Sequence, residues 1–209
     1  MPEHPSPLTE SPLVLASGSA TRADMLRRAG VGIEAVPSDI DEAAVIEAVA
    51  GEKGGLSPED VASVLAQAKA KNVEQRHSGR LVLGADQTLE FEGQLFTKPV
   101  SVDQARRNLL LLRGHSHALH ASAALVHEGE IVWRHTETAW ITMRDFSPQF
   151  LGRYMASAGE SVLESVGSYQ IESVGIQLFE RFEGSWFAIL GLPLMPLLDA
   201  LRGRGALPA

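Results

Sequence analysis

The stretch Leu13-Val14-Leu15-Ala16-Ser17-Gly18-Ser19-Ala20-Thr21-Arg22 decides how the rest of the chain is read. Its first four residues are apolar and uncharged, the pattern of a short buried strand. Small residues then break the run, and a helical pattern follows through Ala23, Leu26 and Ala29 to Gly30, a residue suited to ending a helix. A tight strand-to-helix turn of this kind leaves backbone N–H groups free at the start of the helix, where the dipole favours an anion. Ser17 and Ser19 add hydroxyl donors, and the planar fork of Arg22 matches phosphate. The same residues also describe an ordinary N-capped turn with a solvated arginine, so the choice falls to what lies downstream.

Outward from this turn, Ile33 to Val36 reads as a short strand ending at Pro37, and Ala43 to Ala50 as a short helix before the flexible Gly51-Glu52-Lys53-Gly54-Gly55. Ser57-Pro58-Glu59-Asp60 is a strong helix start, with a serine cap, proline at the first helical position and an acid three residues after the cap. The helix it opens carries Val61, Val64, Leu65 and Ala68 on one face, with Lys69 at that face's edge. Leu81 to Ala85 is a second apolar run, and it delivers Asp86 at its end. Strand-like runs flank Glu92-Gly93, Glu128-Gly129 and Glu183-Gly184, the pattern of three hairpins. Hairpins require antiparallel pairs. The expected fold is therefore α/β, a mixed parallel and antiparallel twisted sheet with flanking helices.

Further helices are expected over Val102 to Arg113, from Ser147-Pro148 to about Ser157, and from Pro193 onward. Residues 13–209 read as one domain after a loose tail of residues 1–12, which holds four prolines and two glutamates. The loop Gly159 to Ser165 is the one candidate boundary inside it.

With 44% hydrophobic and 21% charged residues, the composition is that of a globular protein. A net charge of −8 argues against nucleic acid, which needs a concentrated basic surface, but not against a free nucleotide, for which one basic pocket suffices. The absence of cysteine excludes disulfides, thiolate metal sites and cysteine nucleophiles. No apolar run approaches the ~20 residues of a membrane span.

Asp86 is the sharpest chemical candidate, because a carboxylate at the end of a buried strand is desolvated unless something compensates. A capped strand-end aspartate is the bland alternative. Lys98 follows just past the hairpin and is locked by Pro99, so the two can face one space. An acid and a fixed cation beside an anion-seeking turn suit phosphoryl transfer. Asp39, Asp41 and Glu42 could hold Mg²⁺ or form a solvated helix start. His115, His117 and His120 read as structural, since strand alternation sends His120 to the other face. Trp133, Trp140, Trp186, Phe179, Phe182 and Phe187 read as core-packing faces of the sheet. No Gly-x-Ser-x-Gly elbow and no Walker loop is present.

Taken together, Leu-Ala-Ser-x-Ser-x-x-Arg (15–22), Asp-Glu (41–42), Leu-Ala-x-x-Lys-Ala (65–70), Gly-Ala-Asp-Gln (84–87) and Lys-Pro (98–99) form an ordered set. Gly-Ser-Tyr-Gln-x-Glu (167–172) and Gly-Leu-Pro-Leu (191–194) complete it. In this set the chain resembles the Maf family of nucleoside triphosphate pyrophosphatases from Leu13 to Leu201. The resemblance implies hydrolysis of a nucleoside triphosphate between its α- and β-phosphates by a cytoplasmic enzyme, usually a homodimer, with a divalent metal (Mg or Mn). It also implies two lobes around a long central cleft, similar to inosine triphosphatases. By the same resemblance Asp86 is the proton acceptor for the attacking water, and Ser17, Ser19, Arg22, Lys69 and Lys98 form the triphosphate cradle. Glu42 and Asp86 then lie at the metal.

Asp86-Gln87, and Glu172 where the thymidine/uridine branch carries glutamine, are similar to the branch acting on 7-methyl-GTP, which places Gln87 and Glu172 at the substrate. Phe179-Glu180-Arg181 and Glu183-Gly184 also resemble that branch. The chain departs from the family pattern at Ala20, Thr21, Ser165 and Ala188, where proline, arginine, lysine and asparagine are usual. Two rival readings are a sugar-phosphate nucleotidyltransferase and a nucleotide-binding regulator of cell division without turnover. The first places its lysine close after the arginine, whereas Lys98 trails Arg22 by 76 residues. A regulator could dispense with Asp86, which is present here.

Overall fold

In the computed structural model, which describes residues 6–9, 11–50 and 55–208, the opening stretch forms strand β1 (Leu13–Ala16) and helix α1 (Ala20–Arg28). β1 is buried throughout and pairs in parallel with β2 (Ile33–Ala35) on one side and with the start of β3 (Val82–Phe91) on the other. Downstream come β4 (Gln94–Phe96), the long hairpin of β5 (Ser116–His127) and β6 (Glu130–Met143), and the edge strand β7 (Phe179–Glu183). Among the described residues seven strands make one sheet in the order β2-β1-β3-β5-β6-β7, with β4 beside the far half of β3. Pairing is parallel around β1 and antiparallel from β3 onward, so the mixed sheet expected from the hairpins is present.

β3 corrects one expectation. The strand does not end at Ala85 but continues to Phe91, and Asp86 lies in its middle. What ends is the neighbour: β1 stops opposite Gly84, and β4 begins only opposite Leu89. Along that edge residues 85–88 have no adjacent strand among the described residues. The apolar run marks where β3 is covered by β1 and β5; polar residues begin where the window opens.

Alternation along β3 sends Leu83, Ala85 and Leu89 to one face of the sheet. Leu83 and Ala85 join a core cluster with Leu26 of α1 and Leu197 of α7 (Leu194–Gly203), and Leu89 joins the larger main cluster with Leu109 of α4 (Val102–Leu112) and Leu151 of α5 (Pro148–Ala158). The opposite face, with Val14, Val82 and Val126, is covered by Ala70 and Val73 of α3 (Pro58–Glu74). α3 starts on the Ser57 cap, whose Oγ accepts the Asp60 N–H at 3.1 Å. Its buried face runs through Val61, Ala62, Leu65, Ala66, Lys69, Ala70 and Val73, so Lys69 is central on that face and not at its edge. The rotation follows from size: the alanines allow the helix to lie directly on Gly84, where a Cβ would come within 2.7 Å of the Ala70 nitrogen and overlap the Ala66 carbonyl oxygen. The smaller helix α2 (Glu42–Ala50) precedes α3, and residues 51–54 of the expected glycine-rich connection lie outside the described residues.

Four other expectations change. Glu183-Gly184 turns into α6 (Trp186–Ile189) and is not a hairpin. Gly159–Leu163 is a 3-10 helix and not a loop, and its Val162 is fully buried in the main core. Trp140, Trp186 and Phe182 are exposed, not core, while Phe179 is buried and Trp133 and Phe187 pack against the core. Trp140 sits two rows beyond Thr88, whose hydroxyl donates to Pro58 O at the start of α3. Part of the segment expected to be a loose tail is held: Leu8 N–H donates to Gly30 O at 2.7 Å, and Thr9 Oγ1 accepts from Gly32 N–H at 2.9 Å. Residues 1–5 and 10 of that segment lie outside the described residues.

Candidate active site

The window in the sheet is bordered by the β1–α1 turn on one side and by the segment after β4 on the other, with α3 passing over its face. From the turn, Ser17 Oγ accepts the Ser19 N–H at 3.2 Å and a bond from Arg22 Nη1 at 3.3 Å. Ser19 caps α1 by accepting the Arg22 N–H at 3.3 Å. Each hydroxyl thus uses its acceptor side within the protein and keeps its hydrogen to donate. Arg22 Nε donates to Gly191 O at 2.7 Å, which leaves Nη2 without a bond among the described residues. Burial pulls the Arg22 guanidinium below its ordinary pKa, and the charges of Asp86 and Glu42 oppose the shift.

On the α3 side the Lys69 ammonium is almost fully buried. It bonds Asp86 Oδ1 and, at 2.8 Å, Glu42 Oε1. Burial pushes the Asp86 carboxyl above the ordinary aspartate value, against the attraction of Lys69 and Arg22. Partial burial opposes ionisation of Glu42 as well, yet the Lys69 hydrogen bond and the charges of Lys69, Lys98 and Arg22 hold it below its ordinary value. Lys98 is exposed and, among the described residues, makes no hydrogen bond or ion pair, but its field reaches Glu42. Two acids and three cations drawn from five separate motifs therefore act on one another in one place.

Of the acidic patch, only Glu42 faces the window. Asp39 Oδ2 accepts from Arg76 at 2.5 Å, and Asp41 Oδ1 caps α2 by accepting the Ala44 N–H at 3.0 Å. Among the described residues no three His, Cys, Asp or Glu side chains are grouped to hold a metal by themselves. Glu42 and Asp86 nonetheless put two hard-oxygen donors around one cation, Lys69, the donor type that suits a divalent ion completed by phosphate oxygens and water. His117 and His120 point to opposite faces: His117 Nε2 meets Tyr169 OH at 2.8 Å, and His120 lies between Thr138 and Glu90.

Gln87 and Glu172, both expected at the substrate, behave differently. Glu172 is exposed, and its Oε1 accepts from Thr21 Oγ1 at 2.9 Å, which ties it to the first turn of α1. Gln87 points away from the Asp86 face, and its Nε2 donates to Ala188 O at 2.8 Å and to Ile189 O at 3.0 Å. Sequence reasoning missed two contributors, Thr21 and Gly191. Thr21 stood out only as a departure from the family pattern, and Gly191 only as part of Gly-Leu-Pro.

Residues 12–204 match the family model described as Maf-like protein. A protein of Mesorhizobium japonicum named 7-methyl-GTP pyrophosphatase is 52% identical over 93% of this chain and 97% of its own length. A nucleoside triphosphate pyrophosphatase of Maricaulis maris is 48% identical over 93% and 97% of the two chains. A 7-methyl-GTP pyrophosphatase of Rhizobium meliloti is 46% identical over 94% and 98%. With the ordered motifs gathered around one window in the sheet and similarity running over nearly the whole length, the chain belongs to the Maf family.

Proposed function

We propose that this protein is a nucleoside triphosphate pyrophosphatase that converts a modified nucleotide such as 7-methyl-GTP to the monophosphate and pyrophosphate. The observation that carries the reading is the buried Asp86 carboxyl in an open strand edge, bonded to Lys69, which also bonds Glu42, with the charge of Arg22 acting on it. A triphosphate brings about four negative charges, and only converging cations and N–H or O–H donors can hold it. Ser17, Ser19, Arg22 and Lys98 surround the phosphates, and Lys69 turns its ammonium to them. Asp86 accepts the proton of water as its oxygen bonds to the α-phosphorus and the bond to the pyrophosphate oxygen breaks. Glu42 and Asp86 would hold a divalent cation, Mg or Mn, which supplies further charge neutralisation when bound. Glu172, held by Thr21, offers a carboxylate to a cationic methylated base. The protein acts in the cytoplasm as a homodimer, an assembly that equilibrium sedimentation tests.

A panel of ordinary and modified nucleoside triphosphates with Mg²⁺ or Mn²⁺, scored for pyrophosphate and monophosphate, tests the reaction. The expected result is pyrophosphate release with the highest kcat/KM for 7-methyl-GTP. In Glu172→Gln the preference over UTP should shrink by about tenfold, the scale of one charge contact to the base. No pyrophosphate from any member of the panel would overturn the reading.

A further inference from the structure

We propose that Gln87 and Gly191 are positioning residues that aim the Arg22 guanidinium, linking its orientation to the strand that carries Asp86. The inference rests on the reading that Arg22 contacts the substrate phosphates.

The link is continuous in hydrogen bonds. Gln87 follows Asp86 on β3 and by strand alternation projects from the other face. Its amide nitrogen spans two successive carbonyls, Ala188 O at 2.8 Å and Ile189 O at 3.0 Å, at the C-terminal end of α6. Carbonyls there lack a full set of helical partners, so they accept such a clamp readily. Ala188 O also accepts the Gly191 N–H at 2.9 Å. Gly191 then turns with φ of +93°, in the left-handed region, and its own carbonyl accepts Arg22 Nε at 2.7 Å. A Cβ at this position would stand 3.2 Å from Arg22 Nη2 and 3.4 Å from Nε, so glycine leaves the room the guanidinium occupies.

The result is a guanidinium held at two of its three nitrogens. Nε is held by Gly191 O and Nη1 by Ser17 Oγ, while Nη2 is left to a ligand. Its plane is set before the substrate arrives, which lowers the ordering cost of engaging phosphate. Gln87 itself is turned away from that ligand, because its amide donor faces α6. The clamp and the proposed base are adjacent residues of one strand. A shift of β3 would therefore move the carboxyl and the guanidinium together.

A double-mutant cycle tests this. Gln87→Met and Gly191→Ala are measured alone and in an Arg22→Ala background, with kcat, KM and melting temperature recorded for each. Each single variant should lose about 10–100-fold in kcat/KM, the scale of a misplaced catalytic group, with most of the loss in kcat. In the Arg22→Ala background the same changes should cost less than about twofold, because the residue they act through is gone. Additive losses would overturn the proposal, since they mean that Gln87 meets substrate directly or supports the fold independently of Arg22. Single variants with full activity would overturn it too. If Gln87→Met fails to fold, the Gly191→Ala arm decides alone. If the wild-type protein releases no pyrophosphate, the functional reading fails separately, and the cycle is read on calorimetric binding of the Mg²⁺–nucleoside triphosphate complex.

Discussion

Asp86 combines two demands that pull against each other. A proton acceptor has to be ionised when water attacks, yet burial favours its neutral form. Lys69 and Arg22 counter the burial, and the balance leaves the carboxyl above its ordinary pKa, which makes it a stronger base than a surface aspartate. Asp86→Asn keeps the shape and a carbonyl acceptor for Lys69 but removes the base. Turnover should fall by about 10²–10⁴-fold while nucleotide binding persists, read by steady-state kinetics beside calorimetry. Near-normal turnover in this variant would remove Asp86 from the chemistry. The identities of Asp86, Arg22, Lys98 and Glu42 were legible as residues because each stands in a short motif whose chemistry suits phosphate. The direction of Gln87 was not legible. A strand shows its alternation only once its full extent is known, and the run of apolar residues concealed that β3 continues beyond Ala85 to Phe91.

Among the elements, α3 controls the site through its contact with Gly84. Alanines at 62, 66 and 70 allow the close approach, and that approach brings Lys69, one residue before Ala70, over the window. Gly84→Ala introduces a Cβ where the Ala66 carbonyl and the Ala70 nitrogen already stand. The helix has to move off the sheet, at a cost of about 1–3 kcal/mol or somewhat more, as is typical of overpacking. The prediction is a lowered urea midpoint together with loss of activity, since Lys69 moves with the helix. An unchanged midpoint would show that α3 and β3 are less tightly packed than the structure has them. The helix starts at Ser57 and Ser147 were legible, because a capping hydroxyl acts on the next turn and needs no tertiary partner. The rotation of α3 was not, because it depends on the shape of the sheet beneath it.

At the scale of the whole molecule, the sheet holds a titratable group in its core. His117 is fully buried, with Nε2 against Tyr169 OH, and Nδ1 finds no partner among the described residues. Desolvation lowers its pKa to about 3 from an ordinary 6.5. The unfolded chain therefore takes up a proton at a pH where the folded chain does not. The stability this group contributes is complete above about 6.5 and is lost as the pH falls toward 3. Unfolding free energy from urea titrations should drop by about 2 kcal/mol between pH 7.5 and 5 through this residue, at ~1.4 kcal/mol per unit below 6.5. His117→Gln should flatten that part of the profile; an equally steep loss in the variant would place the effect elsewhere. Among the described residues no helix is long and apolar enough to cross a membrane.

The sequence by itself determined most of the local elements and the mixed character of the sheet, and it picked out the acids and cations that the structure brings together, since caps, turns and short motifs act over a few residues. Only the tertiary structure decided that β1 stops short while β3 runs on, that Lys69 lies between Asp86 and Glu42, and that Gln87 faces α6. Those outcomes depend on how far each strand extends relative to its neighbours and on which side of a helix meets a glycine. Both are relations between distant segments, and no window of sequence contains them.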